Sequence, residues 1–332
     1  MSRKPRILVV GSFVMDVIAT TERVPGSAQT VYGKSFHMAP GGKGANQALQ
    51  CARLGADVTM MGCVGDDLFK DLLLETPKAA GIDLSHVVVR KGVSSGVGHV
   101  TLEVTNHTAQ NRIIVLPGAN QTLTVEEVSW IKDAIASYDI VLLQLEVPIE
   151  VNRAVARWAK DAGVPVMLNP APATDLDEEL LRYVTYLTPN EQEASTESGL
   201  PLRSGKHGPC KEDLPKIGAA LWAKGVENVI ITLGSAGSAI VEGDSIHYID
   251  PVCMPHVADP TGAGDSFVAA MSVGLSIGLS REQAMAFASH TAAITVSRMG
   301  AMPSLPVLDE VILLLKDRNY QGFDLSILDV LR

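Results

Sequence analysis

The chain has 332 residues, 46% hydrophobic and 19% charged, with 27 lysines and arginines against 37 aspartates and glutamates. That length exceeds the usual single-domain mode of about 100 to 150 residues, so one large α/β domain with an appendage is accommodated, and the apolar content excludes disorder. A formal charge of −10 argues against a general nucleic-acid or anionic-membrane binder, since both need a basic face, while helix N-termini can still hold an anion locally.

In chain order, basic Arg3, Lys4 and Arg6 precede an apolar stretch, Ile7 to Val10, that stops at Gly11-Ser12: a buried strand, too short for a signal-peptide core. Met15 to Pro40 is weakly strand-like. Pro40-Gly41-Gly42-Lys43-Gly44-Ala45-Asn46-Gln47 opens a helix predicted from about Ala45 to Leu54, with Gly55 as its stop. Further buried strands are predicted at Val58 to Cys63, Ile140 to Leu145, Val164 to Leu168, Val184 to Leu187 and Val229 to Thr232. They alternate with amphipathic segments, the rhythm of a mostly parallel sheet covered on both faces. Val93 to Leu116 breaks this rhythm: it alternates at Val100, Leu102 and Val104, turns through Thr105 to Asn111 and resumes at Ile113 and Val115, the pattern of an antiparallel hairpin. Thr124-x-x-Glu127 and Ser280-x-x-Gln283 read as capping boxes, and Arg203 to Asp213 as a surface loop. The expected organisation is an α/β core of residues 1–12, 41–92 and 117–332 beside a small β-sheet appendage of residues 13–40 and 93–116.

No run approaches the roughly 20 apolar residues of a membrane span. The four cysteines lack C-x-x-C spacing and the eight histidines lack H-x-x-x-H spacing, so neither a zinc cage nor a disulfide framework is readable. A reducing, cytoplasmic compartment is expected.

Asp259-Pro260-Thr261-Gly262-Ala263-Gly264-Asp265-Ser266-Phe267 leads into a helical run, Val268 to Ile277. Gly262 and Gly264 leave backbone N–H groups unshielded at a helix start, where the orphan donors and the dipole favour a phosphate. Asp265 either caps that helix or sits beside the phosphate as a base; the paired glycines, a preceding strand region and Asp259 favour the base. At the Gly41-Gly42 turn the glycines alone have a steric explanation, but Lys43 and Asn46 put an ammonium and a carboxamide where hydroxyls or an oxyanion could be held. Glu146 and Asn169 end predicted strands, and ligands of open parallel sheets bind beyond strand carboxyl ends; a loop cap is the alternative for each. Asn190 and Glu193 lie three apart on one helical face, suiting Mg²⁺ held largely through water, or a solvated helix start.

Three motifs fail. Ala28 and His37 stand where a P-loop needs its first glycine, and Phe267 where the dinucleotide fingerprint needs its third. Gly92-Val93-Ser94-Ser95-Gly96 matches G-x-S-x-G, yet strand-like alternation follows it instead of the helix a nucleophile elbow requires.

Gly-Gly-Lys-Gly-Ala-Asn at 41–46, Gln144-Leu145-Glu146, Asn169-Pro-Ala-Pro-Ala173, Asn190-Glu-x-Glu193-Ala194, Thr232-Leu233-Gly234 and Thr261-Gly-Ala-Gly-Asp265-Ser-Phe267 together resemble the ribokinases, within the phosphofructokinase B family of sugar kinases. The motifs stand in the family's order from Gly11 to Ser304. The resemblance implies a Rossmann-like α/β core, a β-sheet lid that closes the sugar site and joins a homodimer, and transfer of the ATP γ-phosphoryl to O5 of D-ribose. It implies Asp265 as base and Gly262, Ala263 and Gly264 as anion hole. Asp16, Gly42, Lys43, Asn46 and Glu146 would hold ribose; Asn190 and Glu193 would organise Mg·ATP; Thr232 and Gly234 would line the nucleotide. A monovalent cation, K⁺, maps onto Asp259, Thr261, Thr295, Arg298, Gly300 and Ser304.

Two departures stand out. Val14-Met15-Asp16 occupies the place of Asn-x-Asp in many ribokinases, a loss worth about 0.5 to 1.5 kcal/mol as one neutral hydrogen bond. Pro260 replaces a more usual Thr but keeps its carbonyl. The rival expectations are a kinase of the same family acting on fructose, a ketodeoxy sugar acid or adenosine, a non-catalytic sugar or nucleotide binder, and a serine hydrolase at Ser94.

Overall fold

The computed structural model describes residues 3–105, 109–174, 176, 178–205, 208–242 and 245–332. Six apolar runs lie side by side as parallel strands, in the order Asn228–Thr232, Tyr186–Leu187, Val166–Asn169, Ile140–Gln144, Arg6–Val10 and Asp57–Met61. Ser238–Glu242 and Ser245–Ile249 extend the Asn228 edge antiparallel. Strand alternation sends Ile7, Val9, Ile140 and Leu142 into one apolar cluster with helices Lys43–Arg53, Ala263–Ser276 and Arg281–Val296. Leu8, Val10, Val141 and Leu143 enter a second cluster with helices Ile149–Asp161 and Leu214–Ala223. Both sheet faces are therefore covered, which is why these strands read as continuous apolar runs. Each such buried side chain contributes about 1.5 to 3 kcal/mol.

Two expectations change. The strand predicted to run through Cys63 breaks at Gly62, where a β-carbon would stand 2.5 Å from the Gly11 carbonyl oxygen and 2.9 Å from the Phe13 ring. Cys63–Gly65 departs to pair with Val88–Arg90. At Thr124 the reciprocal capping bonds with Glu127 form, yet irregular turns follow and the next helix is only Ile131–Ala134. The Ser280 box does cap Arg281–Val296. The loop from Arg203 holds a short hairpin, Ser204–Gly205 with Gly208–Pro209, and is closed by an Arg203–Asp213 ion pair at 2.6 Å.

Both irregular stretches join one four-stranded sheet, ordered Ser35–Gly41, Val14–Thr21, Gly96–Val104 and Ala109–Leu116. The last two form the expected antiparallel hairpin, whose turn lies partly outside the described residues. The central pair runs parallel, with Asp16 opposite Gly98. The chain passes from Val10 through Gly11, Ser12 and Phe13 into this sheet, which therefore roots at the carboxyl end of the parallel strands.

Candidate active site

The predicted polar residues converge at those carboxyl ends. A cavity of about 220 Å³ is lined by Lys43, Asn190, Glu193, Thr232, Gly262, Gly264 and Asp265, and by Asn169, Thr188 and Val268. Asn169 and Thr188 each immediately follow, or end, a parallel strand, and Asn190 bridges to Thr232.

The two glycine-rich helix starts are not equivalent. Gly42 has φ +97°, and a β-carbon on Gly44 would stand 2.6 Å from the Ser12 nitrogen, so both positions require glycine. The amide of Lys43 donates to Glu146 Oε2 at 3.0 Å, that of Gly44 to Ser12 Oγ at 3.5 Å, and that of Ala45 to the Ser12 carbonyl at 3.0 Å. Ser12 Oγ in turn donates to Glu146. This helix start is thus filled by the protein's own carboxylate. The helix Ala263–Ser276 begins at Gly262, φ +81°, with no side-chain cap, and only the Ala263 amide is engaged, by the Pro260 carbonyl at 3.2 Å. Of the two starts, the second is the one with amides left for an anion.

Asp265 is buried at this start. Its Oδ2 accepts from Asn46 Nδ2 at 2.8 Å and its Oδ1 from Gln47 Nε2 at 3.1 Å. Burial pushes its carboxyl above the usual range; Lys43, Asn46 and Gln47 pull the other way, and Glu146 adds to the rise. Lys43 is the cation of the site. Burial lowers its ammonium, but Asp265, Glu146 and Glu193 together raise it above its ordinary value. Asn46, having given its Nδ2 to Asp265, keeps a buried Oδ1 with no partner.

Asp16 lies where the four-stranded sheet meets the core. Its carboxylate passes over Gly98, where a β-carbon would stand 2.2 Å from Asp16 Oδ1, and beside Gly41, where one would stand 3.4 Å from Oδ2. Burial, with Glu146 nearby, pushes its carboxyl up to about 6. Gly98 carries no motif in the sequence; only the parallel pairing reveals why it is glycine.

Asn190 and Glu193 form a capping box on helix Glu191–Ser198, in which Asn190 is exposed and Glu193 is buried. Asn190 Oδ1 accepts from the Glu193 amide, and both Glu193 oxygens accept from Asn190, each at 2.9 Å. These oxygens face the cavity already hydrogen-bonded, so they suit a cation that keeps its own water between. Gly234, at φ +51°, turns the chain beyond Thr232.

For the cation loop, Asp259 Oδ2 accepts from the Gly300 amide at 2.9 Å and its Oδ1 from Thr261, which brings the two segments together. The Thr295 hydroxyl is turned into the core toward Ser266 and the Thr291 carbonyl, and the Arg298 guanidinium pairs with Glu310 at 2.5 Å. Main-chain carbonyls are what those two positions have to offer. Ser304 is buried, its hydroxyl donating to the Ala301 carbonyl at 2.6 Å. Ser94 is exposed and runs on through Ser95 into strand Gly96–Val104, so the strand-turn-helix of a hydrolase nucleophile does not form there.

A family model described as pfkB family carbohydrate kinase matches residues 4–308. A ribokinase of Lactococcus lactis is 35% identical over 94% of this chain and 97% of that protein. A deoxyribokinase of Salmonella typhi is 30% identical over 92% of this chain and 96% of that protein. The structure of Arabidopsis thaliana ribokinase complexed with ribose and ATP matches with a TM-score of 0.85 at 33% identity, covering 95% of this chain and 99% of that one.

Proposed function

The chain belongs to the pfkB family of carbohydrate kinases, and from that premise we propose that it transfers the γ-phosphoryl of ATP to O5 of D-ribose, giving D-ribose 5-phosphate and ADP. One observation carries the sugar: Asn46 Oδ1, buried without a partner beside Asp265 and near Gly41. A buried acceptor left empty is costly, and a sugar hydroxyl is a donor of the right size for it. The Arabidopsis ribokinase with ribose and ATP, alike over nearly the whole chain, supports the same substrate pair.

In this reading Asp16, Gly42, Lys43, Asn46 and Glu146 bind the sugar and Asp265 faces the acceptor hydroxyl. The O5–H proton passes to Asp265 as O5 bonds to the γ-phosphorus and the bond to the β-bridging oxygen breaks, releasing ADP. Burial makes Asp265 a better base than a free carboxylate, while Lys43 pulls against that rise. Charge on the transferred group is met by the Gly262, Ala263 and Gly264 turn, with Thr232 and Gly234 along the nucleotide.

Asn190 and Glu193 supply hard oxygens that fit Mg²⁺ held through water, and Asp259, Thr261 and Gly300, joined by the Asp259 carboxylate, with the main-chain carbonyls of Thr295 and Arg298 and with Ser304, would hold K⁺. Bound there, these ions would neutralise phosphate charge and steady the Gly262 turn. The four-stranded sheet, which carries Asp16, acts as a lid over the sugar site, excluding water from the phosphoryl group.

The nearest rival substrate is 2-deoxyribose. Val14 shares its strand face with Asp16, packs 3.7 Å from the Gly98 β-position, and offers no hydrogen bond to a hydroxyl. ADP release over ribose, 2-deoxyribose, fructose and adenosine, with and without K⁺, decides. Ribose is expected to give the highest kcat/KM and K⁺ to raise it; preference for another acceptor would overturn the substrate, and indifference to K⁺ the cation loop.

A further inference from the structure

Behind Asp265 runs a set of buried carboxamides that the chemistry above does not use. Gln47 is fully buried on helix Lys43–Arg53 and does not line the cavity. Its Nε2 donates to Asp265 Oδ1 at 3.1 Å and to Asn169 Oδ1 at 3.4 Å. Asn169 Oδ1 and Asp265 Oδ1 are both acceptors and set which end of the Gln47 amide faces them; on its other side Gln144 Nε2 donates to Gln47 Oε1 at 2.6 Å, while Gln144 Oε1 is buried without a partner. Gln144 is fully buried at the end of strand Ile140–Gln144, and its main-chain carbonyl accepts from Asn152 Nδ2 at 2.6 Å. Asn169 gives its own Nδ2 to the Thr188 carbonyl at 3.1 Å, which leaves its Oδ1 as an acceptor. Donation to the carboxylate therefore runs from Gln144, at the end of strand Ile140–Gln144, through Gln47 to Asp265, with Asn169 as a second acceptor of the same Gln47 amide. Buried amides are expensive unless partnered, so a run of them aimed at one side chain calls for a role beyond packing.

We propose that Gln47 is a positioning residue for phosphoryl transfer: it fixes the plane of the Asp265 carboxylate toward the cavity, and Gln144 fixes Gln47. The inference rests on Asp265 as the base. With Asn46 alone the carboxylate could turn about a single hydrogen bond, whereas donors on both oxygens hold its plane. The charged groups facing it are Lys43 from the same helix as Gln47, Glu146 from the loop after strand Ile140–Gln144, and Glu193 from helix Glu191–Ser198. Loss of the Gln47 donor removes one of the influences that pull the Asp265 carboxyl down against its burial.

The test compares Gln47→Leu, Gln47→Glu, Gln144→Met and Asp265→Asn with the parent in steady-state kinetics across pH, with sugar binding by calorimetry. Misplacement of a reacting group by 1 Å costs about 10²-fold. Gln47→Leu is accordingly expected to lower kcat about 10- to 100-fold, with the sugar KM changed less than about threefold and the acid limb of kcat/KM moved to higher pH. Gln47→Glu should move that limb further, since it sets a second carboxyl beside the first. Gln144→Met should give a smaller loss in the same direction, and none beyond that of Gln47→Leu when the two are combined. A kcat for Gln47→Leu within about twofold of the parent, or a loss confined to KM, overturns the proposal. Should Gln47→Leu fail to fold, Gln47→Glu decides, because it keeps the size of the side chain while replacing the amide donor to Asp265; an unchanged kcat and pH profile then overturns the proposal. An active Asp265→Asn would overturn the base itself, while an inactive one beside kinetically silent Gln47 and Gln144 variants would overturn only the positioning.

Discussion

Asp16 shows how a single residue's surroundings set a measurable property. Its carboxyl is pushed up to about 6, first by burial and then by Glu146. A folded-state value above the unfolded one means the folded chain favours the proton, a stability contribution present at low pH and lost as pH rises from about 3.9 through 6. Sugar hydroxyls donating to the ionised form offset that loss. Ribose affinity is therefore predicted to weaken as pH falls through about 6, and calorimetric titrations from pH 5 to 8 check it; a flat affinity across that range would remove Asp16 from the sugar site. Lys43, Asn46 and Asp265 were legible because each sits in a glycine-rich turn, whereas Asp16, inside strand Val14–Thr21, was reached only through the resemblance to the family. Gln47 and Gly98 were not: Gln47 stands in a quoted motif with no chemistry of its own, and Gly98 has meaning only beside a strand some eighty residues earlier.

At the scale of elements, apolar runs foretold the six parallel strands of the large sheet to within two residues at each end, and Gly62 is where one of them stops and redirects the chain. The Thr124 box shows the opposite failure. Its local hydrogen bonds are satisfied, yet Glu127 is also held by Arg90 at 2.7 Å, and tertiary contact overrides the helix. Both helix starts were legible as glycine turns, but which one would remain empty depended on Glu146, 103 residues from Lys43. The four-stranded sheet carries its own prediction. On the edge strand Ala109–Leu116, Ile114 is 63% exposed and Ile113, Val115 and Leu116 are exposed next to it; Phe36, on the opposite edge strand Ser35–Gly41, is also exposed. Contiguous apolar surface of this kind marks a contact site, and we propose a second copy of the chain as its occupant. Light scattering is expected to give a dimer for the parent and a monomer for Ile114→Glu; a monomeric parent would refute it.

Taken whole, the molecule resolves the tension between an acidic chain and an anionic ligand. Acidity excludes broad polyanion surfaces, while one uncapped helix start and Lys43 place positive potential at a single point. Among the described residues no helix is long and apolar enough to cross a membrane. The parallel sheet brings six motifs scattered from Gly41 to Phe267 to one end, and the four-stranded sheet roots beside them. The measurement that bears most directly on the account is product formation from ribose and ATP by the parent and Asp265→Asn, followed by phosphorus NMR with sugar binding measured in parallel. Ribose 5-phosphate is predicted from the parent, with a rate at least about 10³-fold lower in the variant and ribose still bound. Phosphorylation at comparable rates in both proteins, or none in the parent, would contradict it.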